Sequence, residues 1–436
     1  MLRRLVPGLA AAVLFATPLP AQSLKSKVED LFRFGSGCGP DVLLCLYGNL
    51  PGVHGQHFNT TLAQGEESLV GFLANAIGTS VSNVPISAAS SSVTFTFEGG
   101  LPVKTSVSAG PIFAERAQTL GRGHLLVGGN VTSVNFQSLR GVPLTSIVFD
   151  FTHQDTPPTP LLGQPEFEND ILEVRPVLDV NVLVASVFLT YGLLDRVDVG
   201  VAVPLVNTSL TGSSLASLRL FGVSDSSPHY FGDSANAPLS ERRQEAMSSA
   251  EGSATGIGDV AARVKINLKQ SERTGFALLV DARFPTGNED DFLGAGDFAL
   301  RGLGIVSARW GDFSPHANLG YLFRSGDLQT DALLATAGFD QLVAPWATLA
   351  VDLITAWEVG ESKLKLPGAT TIDTPFVRQV QTSNIADRKD HIIDASLGAK
   401  FTGGRGFTFI ANTIFPIRKS GMQADVVFTA GLEYNF

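Results

Sequence analysis

A period of two recurs along most of this chain, and it constrains the fold more than any other feature. Val93-Thr94-Phe95-Thr96-Phe97-Glu98 alternates apolar and polar side chains, as does the run from Val260 to Leu268. Phe276 to Phe284 repeats the scheme, and Phe428, Ala430, Leu432, Tyr434 and Phe436 share one face. Such alternation places the two kinds of side chain on opposite faces of a strand. The polar face carries full charges: Glu173, Arg175 and Asp179; Asp259, Arg263 and Lys265; Asp281 and Arg283. A soluble sandwich would turn its apolar faces inward. A transmembrane barrel turns them to lipid and keeps a polar lumen. An Arg or Lys on the lipid face costs ~2–4 kcal/mol at the midplane. In a membrane these charged residues are therefore expected to line the lumen.

Several features favour the barrel. Arg3 and Arg4 precede an apolar run, Leu5 to Leu19, and a small residue, Ala21, follows Pro20. This is the pattern of a secretory signal peptide, expected over residues 1–21. After it, no apolar run reaches the roughly 20 residues of a spanning helix. Many alternating segments exceed the about 9–11 residues that a tilted strand needs to cross. The candidate segments are 93–98, 103–109, 124–137, 171–191, 196–210, 256–269, 275–285, 297–310, 314–324, 330–342, 346–358, 391–402, 406–416 and 423–436. They predict an all-β, antiparallel transmembrane barrel of about 14 strands, an even number as bacterial barrels require. Residues 147–151 also alternate but are assigned to a loop. With the last strand ending in the periplasm, the short links fall there and the loops 138–170, 211–255, 286–296 and 359–390 fall outside. Aromatic girdles are less evident, because the chain has 29 Phe but only 3 Trp and 5 Tyr.

Residues 22–90 read differently. Leu24, Val28, Leu31 and Phe32 share a helix face, as do Leu69, Phe72, Leu73, Ala76 and Ile77 after Glu66-Glu67-Ser68. Two short amphipathic helices cannot build their own core. A lumen this wide needs filling. The segment is thus expected to be a helical plug or periplasmic-side lid, with a small periplasmic appendage as the alternative. The barrel is then expected over residues 91–436. The chain has two cysteines, Cys38 and Cys45; in an oxidising compartment they are expected to form one disulfide. A redox or metal pair is the alternative, without the usual spacing.

Four phrases carry a family resemblance. They are Gly110-Pro111-Ile112-Phe113-Ala114-Glu115-Arg116-Ala117-Gln118-Thr119-Leu120-Gly121, Thr190-Tyr191-Gly192-Leu193-Leu194-Asp195-Arg196-Val197-Asp198-Val199, Gly256-Ile257-Gly258-Asp259-Val260 and Pro285-Thr286-Gly287-Asn288-Glu289-Asp290-Asp291. The chain resembles the meta-pathway phenol-degradation outer-membrane proteins over roughly residues 86–436. That family is related to the fatty-acid and aromatic-hydrocarbon channels of Gram-negative outer membranes. The resemblance implies a plugged barrel that passes hydrophobic small molecules, often through a lateral opening. The Asn-Pro-Ala motif of the classical fatty-acid channels is absent from the mature N-terminus, so no ligand-binding residues are carried over.

Other motifs read blandly. Asn288-Glu289-Asp290-Asp291 with Asp297 fits no EF-hand spacing and reads as a solvated acidic loop. His54 and His57 lack the Glu of a zinc helix. No G-x-S-x-G sequence and no P-loop occur, so no enzyme activity, catalytic residue, metal or cofactor is expected. A net charge of −10 without basic clusters argues against nucleic-acid binding. Gly128 and Gly129 interrupt segment 124–137 and predict a strand kink that could open a side exit. The expected function is passive outer-membrane uptake of hydrophobic or aromatic solutes. A structural or adhesive barrel, or a general porin, is the alternative. The expected partners are the solute, outer-membrane lipid and lipopolysaccharide.

Overall fold

The structure is a computed structural model and describes residues 22–35, 42–48, 58, 63, 68–84, 95–98, 101–104, 108–152, 170–220, 229–234, 236–372, 377–403 and 406–436. Thirteen long strands carry the wall: β1 (Leu125–Phe136), β2 (Asp170–Leu194), β3 (Val197–Leu220), β4 (Glu245–Ile257), β5 (Val260–Gln270), β6 (Thr274–Phe284), β7 (Ala299–Ala308), β8 (Phe313–Arg324), β9 (Ala332–Ala344), β10 (Ala347–Glu358), β11 (Ile392–Thr402), β12 (Phe407–Pro416) and β13 (Val427–Asn435). All of them except β4 form a closed antiparallel ring of 12 strands, sealed where β13 pairs with β1. β4 continues β5 along the same edge of β3. Ile257 faces Leu205 and Ala261 faces Ala202, so the Gly258-Asp259 junction holds one extra residue.

The ring is therefore smaller than the about 14 strands read from alternation. The two surplus segments, 93–98 and 103–109, are not in the wall. Phe95–Glu98 and Leu101–Lys104 pair only with each other. Four-residue strands are shorter than the about 9–11 residues a crossing needs. Phe149–Phe151 does pair with β2, outside the ring.

The short links between β2 and β3, β5 and β6, β7 and β8, β9 and β10, and β11 and β12 lie at one end. Leu125 and Asn435, the two ends of the ring, pair into the same end. This end is periplasmic. Trp310, Trp346, Phe407 and Phe436 are exposed on the wall there, with Tyr434 half-buried between Phe407 and Phe436, forming an interfacial belt.

Through the bilayer section the wall obeys the expected phase. Val264 (41% exposed), Val280 (49%) and Phe428 (60%) point outward, while Lys265 and Asp281 are buried inside. Above that section β2, β3 and β4 run on past their neighbours, and there the phase inverts. The inner residues of β2 become Val174, Leu178, Val180 and Val182, all buried. The outer ones become Glu173, Arg175 and Asp179.

Two helices sit against that apolar inner face. α1 (Leu24–Asp30) is N-capped by Ser23, and α2 (Leu69–Ser82) by Ser68, whose hydroxyl accepts from Gly71 N at 2.9 Å. Leu24, Val28, Leu31, Phe32, Leu69, Phe72, Leu73 and Ile77 are all buried in one cluster with Leu172, Val174, Leu178 and Leu218. α1 lies on a smooth platform. A Cβ at Gly212 would stand 2.9 Å from Leu31, and one at Gly252 would stand 2.9 Å from Leu24. Gly78 of α2 faces Phe292 in the outer loop after β6. The helices thus meet the extracellular end of the wall, away from the periplasmic turns. Cys45 is buried and carries no free thiol; Cys38 lies outside the described residues.

Candidate functional site

The site is built between the helices and a luminal strap, residues 108–120. Gly110 and Gly121 bracket the strap at φ of 84° and 86°, a region that only glycine enters freely. Wall side chains satisfy its backbone. Ala109 N donates to Thr348 Oγ1 (3.0 Å), Glu115 N to Asn318 Oδ1 (2.8 Å) and Ala117 N to Ser307 Oγ (3.1 Å). Asn318 Nδ2 donates back to Glu115 O (2.9 Å), and Asn267 Nδ2 to Ala117 O (2.7 Å). Leu120 N donates to the Asp198 carboxylate at 3.0 Å. These partners sit on β10, β8, β7, β5 and β3, so the strap crosses the bore. A buried segment without secondary structure is stable only with such partners.

Ion pairs of the strap and of the wall around it lock it further. Arg116 pairs with Asp340 and Ser108, and His316 Nε2 lies 2.6 Å from Asp352. Glu115 receives Arg263 at 3.0 Å and Lys265 at 3.3 Å. Asp281 receives Arg263 at 3.0 Å and Arg301 at 3.3 Å. Each buried charge in this group has a counter-charge, which is how a lumen keeps ionised groups stable.

Above the strap lies a cavity of about 240 Å³. Phe113 and Glu115 of the strap form its floor, and Ser82 and Asn83 at the end of α2 its roof. One side carries Arg263, Asp281, Arg283 and Arg301. Leu303, Leu322, Leu334, Ile354, Ile392 and Ile414 also line it, among Asn318, Arg324, Gln329, Thr336, Thr355 and Asp394. A second cavity of about 170 Å³ adjoins it and shares Asn83, Arg324, Ile392, Asp394 and Ile414.

The expected lumen residues separate into two groups. Arg263, Lys265, Asp281 and Arg283 turn inward, and all but Lys265 border the large cavity. Asp259 borders it at the β4–β5 junction and accepts from Gly287 N (3.1 Å) and Ala295 N (2.8 Å). Glu173, Arg175 and Asp179 do not line the lumen. They sit on the outer face of the extracellular part of β2, where Glu173 pairs with Arg175 (2.6 Å) and Arg219 (2.8 Å). Arg175 and Asp179 are exposed there and Glu173 is buried between its two arginines, all beyond the bilayer, so the lipid cost that assigned them inward does not apply. Nearby Asp150 pairs with Arg219 at 2.9 Å, yet burial outweighs that cation and pushes its carboxyl above the usual range.

Gly128 and Gly129 do not kink their strand. The pairing of β1 with β2 and β13 runs through both without a register shift. Gly128 instead makes room, since a Cβ there would stand 2.4 Å from the Phe188 ring. Sequence reasoning missed Glu115, Arg116, Asp198, Arg301, Asp340 and Asp394. Glu115 and Arg116 were visible within the Gly110–Gly121 phrase, but nothing local says that this phrase enters the bore.

Together these elements define a transmembrane β-barrel whose bore is crossed by its own N-terminal chain. It is an outer-membrane barrel of a Gram-negative bacterium. Residues 182–414 match the family described as "Putative MetA-pathway of phenol degradation", more than half of the chain, and the protein belongs to that family. Similar solved structures include the COG4313 outer membrane channel from Pseudomonas putida F1, at 13% identity and a TM-score of 0.41, covering 73% of this chain and 98% of that one. A Pseudomonas aeruginosa FadL homologue is 12% identical with a TM-score of 0.31, covering 71% and 89%. The P. putida toluene transporter TodX is 7% identical with a TM-score of 0.30, covering 72% and 89%. No curated protein matches the chain.

Proposed function

We propose that this protein is a passive channel that takes hydrophobic or aromatic small molecules across the outer membrane. The observation that carries the reading is the cavity of about 240 Å³ held inside the bore, with a wall that carries Leu303, Leu322, Leu334, Ile354, Ile392 and Ile414 beside its polar groups. A pore for polar solutes has no use for such a wall, and a strap bonded to several strands argues against a general porin. Apolar surface leaving water supplies ~25 cal/mol per Å², enough to hold a small ring without a covalent step. The cavity chemistry invokes no catalytic group. Residues 22–90 act as the plug, with α1 and α2 seated at the extracellular end. Residues 1–21 are removed on export, and lipid and lipopolysaccharide surround the wall.

Single-channel recording tests the reading. The intact protein should pass little steady ion current, and Asp340→Ala, which frees Arg116 and Ser108 of the strap, should raise it. Cells lacking the protein should take up a labelled aromatic hydrocarbon more slowly. Porin-sized current from the intact protein, with unchanged hydrocarbon uptake in the deletion strain, would overturn it.

A further inference from the structure

Asp394 enters the lumen from β11 and borders both cavities. Its neighbours in the cavity wall are Ile354, Ala356, Ile392 and Ile414. Its Oδ1 is buried and has no hydrogen-bond partner among the described residues. The arginines that share the cavity are occupied elsewhere. Arg301 and Arg263 hold Asp281, Arg283 donates to Ser82 O at 3.1 Å, and Arg324 donates to Asn83 Oδ1 at 3.0 Å. No Lys, Arg or His lies within ion-pair distance of Asp394 among the described residues.

A carboxyl group set in an apolar wall with an unused acceptor is costly, and a donor arriving with a solute removes that cost. We propose that Asp394 is a specificity-determining residue, and that the solute is an apolar molecule bearing a hydroxyl donor. A bare hydrocarbon would leave the carboxyl oxygen unpaired. A carboxylate would meet a second negative group. An ammonium would lose its hydration against Ile354, Ile392 and Ile414, a cost that a neutral hydroxyl avoids. A hydroxyl on a ring suits both the oxygen and the isoleucines. A site built to accept from a solute hydroxyl discriminates strongly against the analogue that lacks it. The inference rests on the reading that this cavity holds the transported solute.

The test is equilibrium dialysis of the full-length, detergent-solubilised protein against labelled benzyl alcohol and ethylbenzene, which differ by a hydroxyl in place of a methyl. Detergent blanks are subtracted, and folding is checked by heat-modifiable gel mobility. The ratio of the two dissociation constants should favour the alcohol in the native protein. Asp394→Leu should shift that ratio toward ethylbenzene by ~10-fold or more. Asp394→Asn keeps the shape and loses the charge; it should shift the ratio severalfold, and it serves if the leucine variant does not fold. An unchanged ratio in both variants would overturn the assignment alone. So would benzoate displacing benzyl alcohol equally well from native and Asp394→Leu protein, which would place the head group on the arginine side. Retention of neither compound above blank would overturn the channel reading as well.

Discussion

The bilayer section of the wall and its extracellular extension are made of the same strands with opposite chemistry. On lower β2 the outward residues are Leu183, Val187, Leu189, Tyr191 and Leu193, all exposed. On upper β2 they are Glu173, Arg175, Asp179 and Asn181, and the inward ones are Val174, Leu178, Val180 and Val182. A strand offers only two faces, and each face takes the polarity of what it touches. Lipid lies outside the lower part and an ionic network inside it. Water lies outside the upper part and α1 and α2 inside it. Amphipathicity alone therefore does not say which face is the lumen.

Substitutions at matched positions can break or sharpen this contrast. The largest effect is expected inside the extension. Phe72→Ala should weaken plug seating by about 3–5 kcal/mol. Limited proteolysis should then cut near α2 while the barrel keeps its heat-modifiable mobility. Equal protease resistance would mean that the apolar interior of the extension does not hold the helices. Next comes a pair on the outer face. Val280→Arg faces lipid and should cost ~2–4 kcal/mol in urea-driven unfolding from vesicles. Val177→Arg, also outward but above the bilayer, should stay within ~0.5 kcal/mol. Similar values for both would erase the distinction between the two sections.

A smaller effect is expected on the α1 platform. Gly252→Val would drive a side chain into Leu24, 2.9 Å from the new Cβ, at about 1–3 kcal/mol. A spin label on α1 should report its displacement. The smallest belongs to the outer ion cluster. Arg175→Ala removes an exposed partner of Glu173, which keeps Arg219, so thermal unfolding should register only ~0.2–1 kcal/mol and less in high salt.

Much of this was legible before the structure. Nine alternating segments from 256 onward and those at 124–137, 171–191 and 196–210 fall on wall strands, because period-two patterning follows directly from strand geometry. The helices at Leu24–Asp30 and Leu69–Ser82 followed from spacing and from the Ser68 cap. In the site, Arg263, Lys265, Asp281 and Arg283 were placed inward by lipid cost alone. The same argument misplaced Glu173, Arg175 and Asp179, because it assumed that β2 ends where the bilayer ends. Its 25 residues were not legible as longer than a crossing plus a loop.

The chain by itself determined that two unlike faces alternate along its strands and that a helical segment precedes them. Local stereochemistry and side-chain polarity suffice for that. Tertiary structure decided that twelve strands close the ring, that residues 108–120 cross the bore, and that Asp394 meets isoleucines rather than a cation. Those outcomes depend on contacts between residues far apart in the chain, where a side chain's partner is fixed by closure of the barrel and not by its neighbours in sequence.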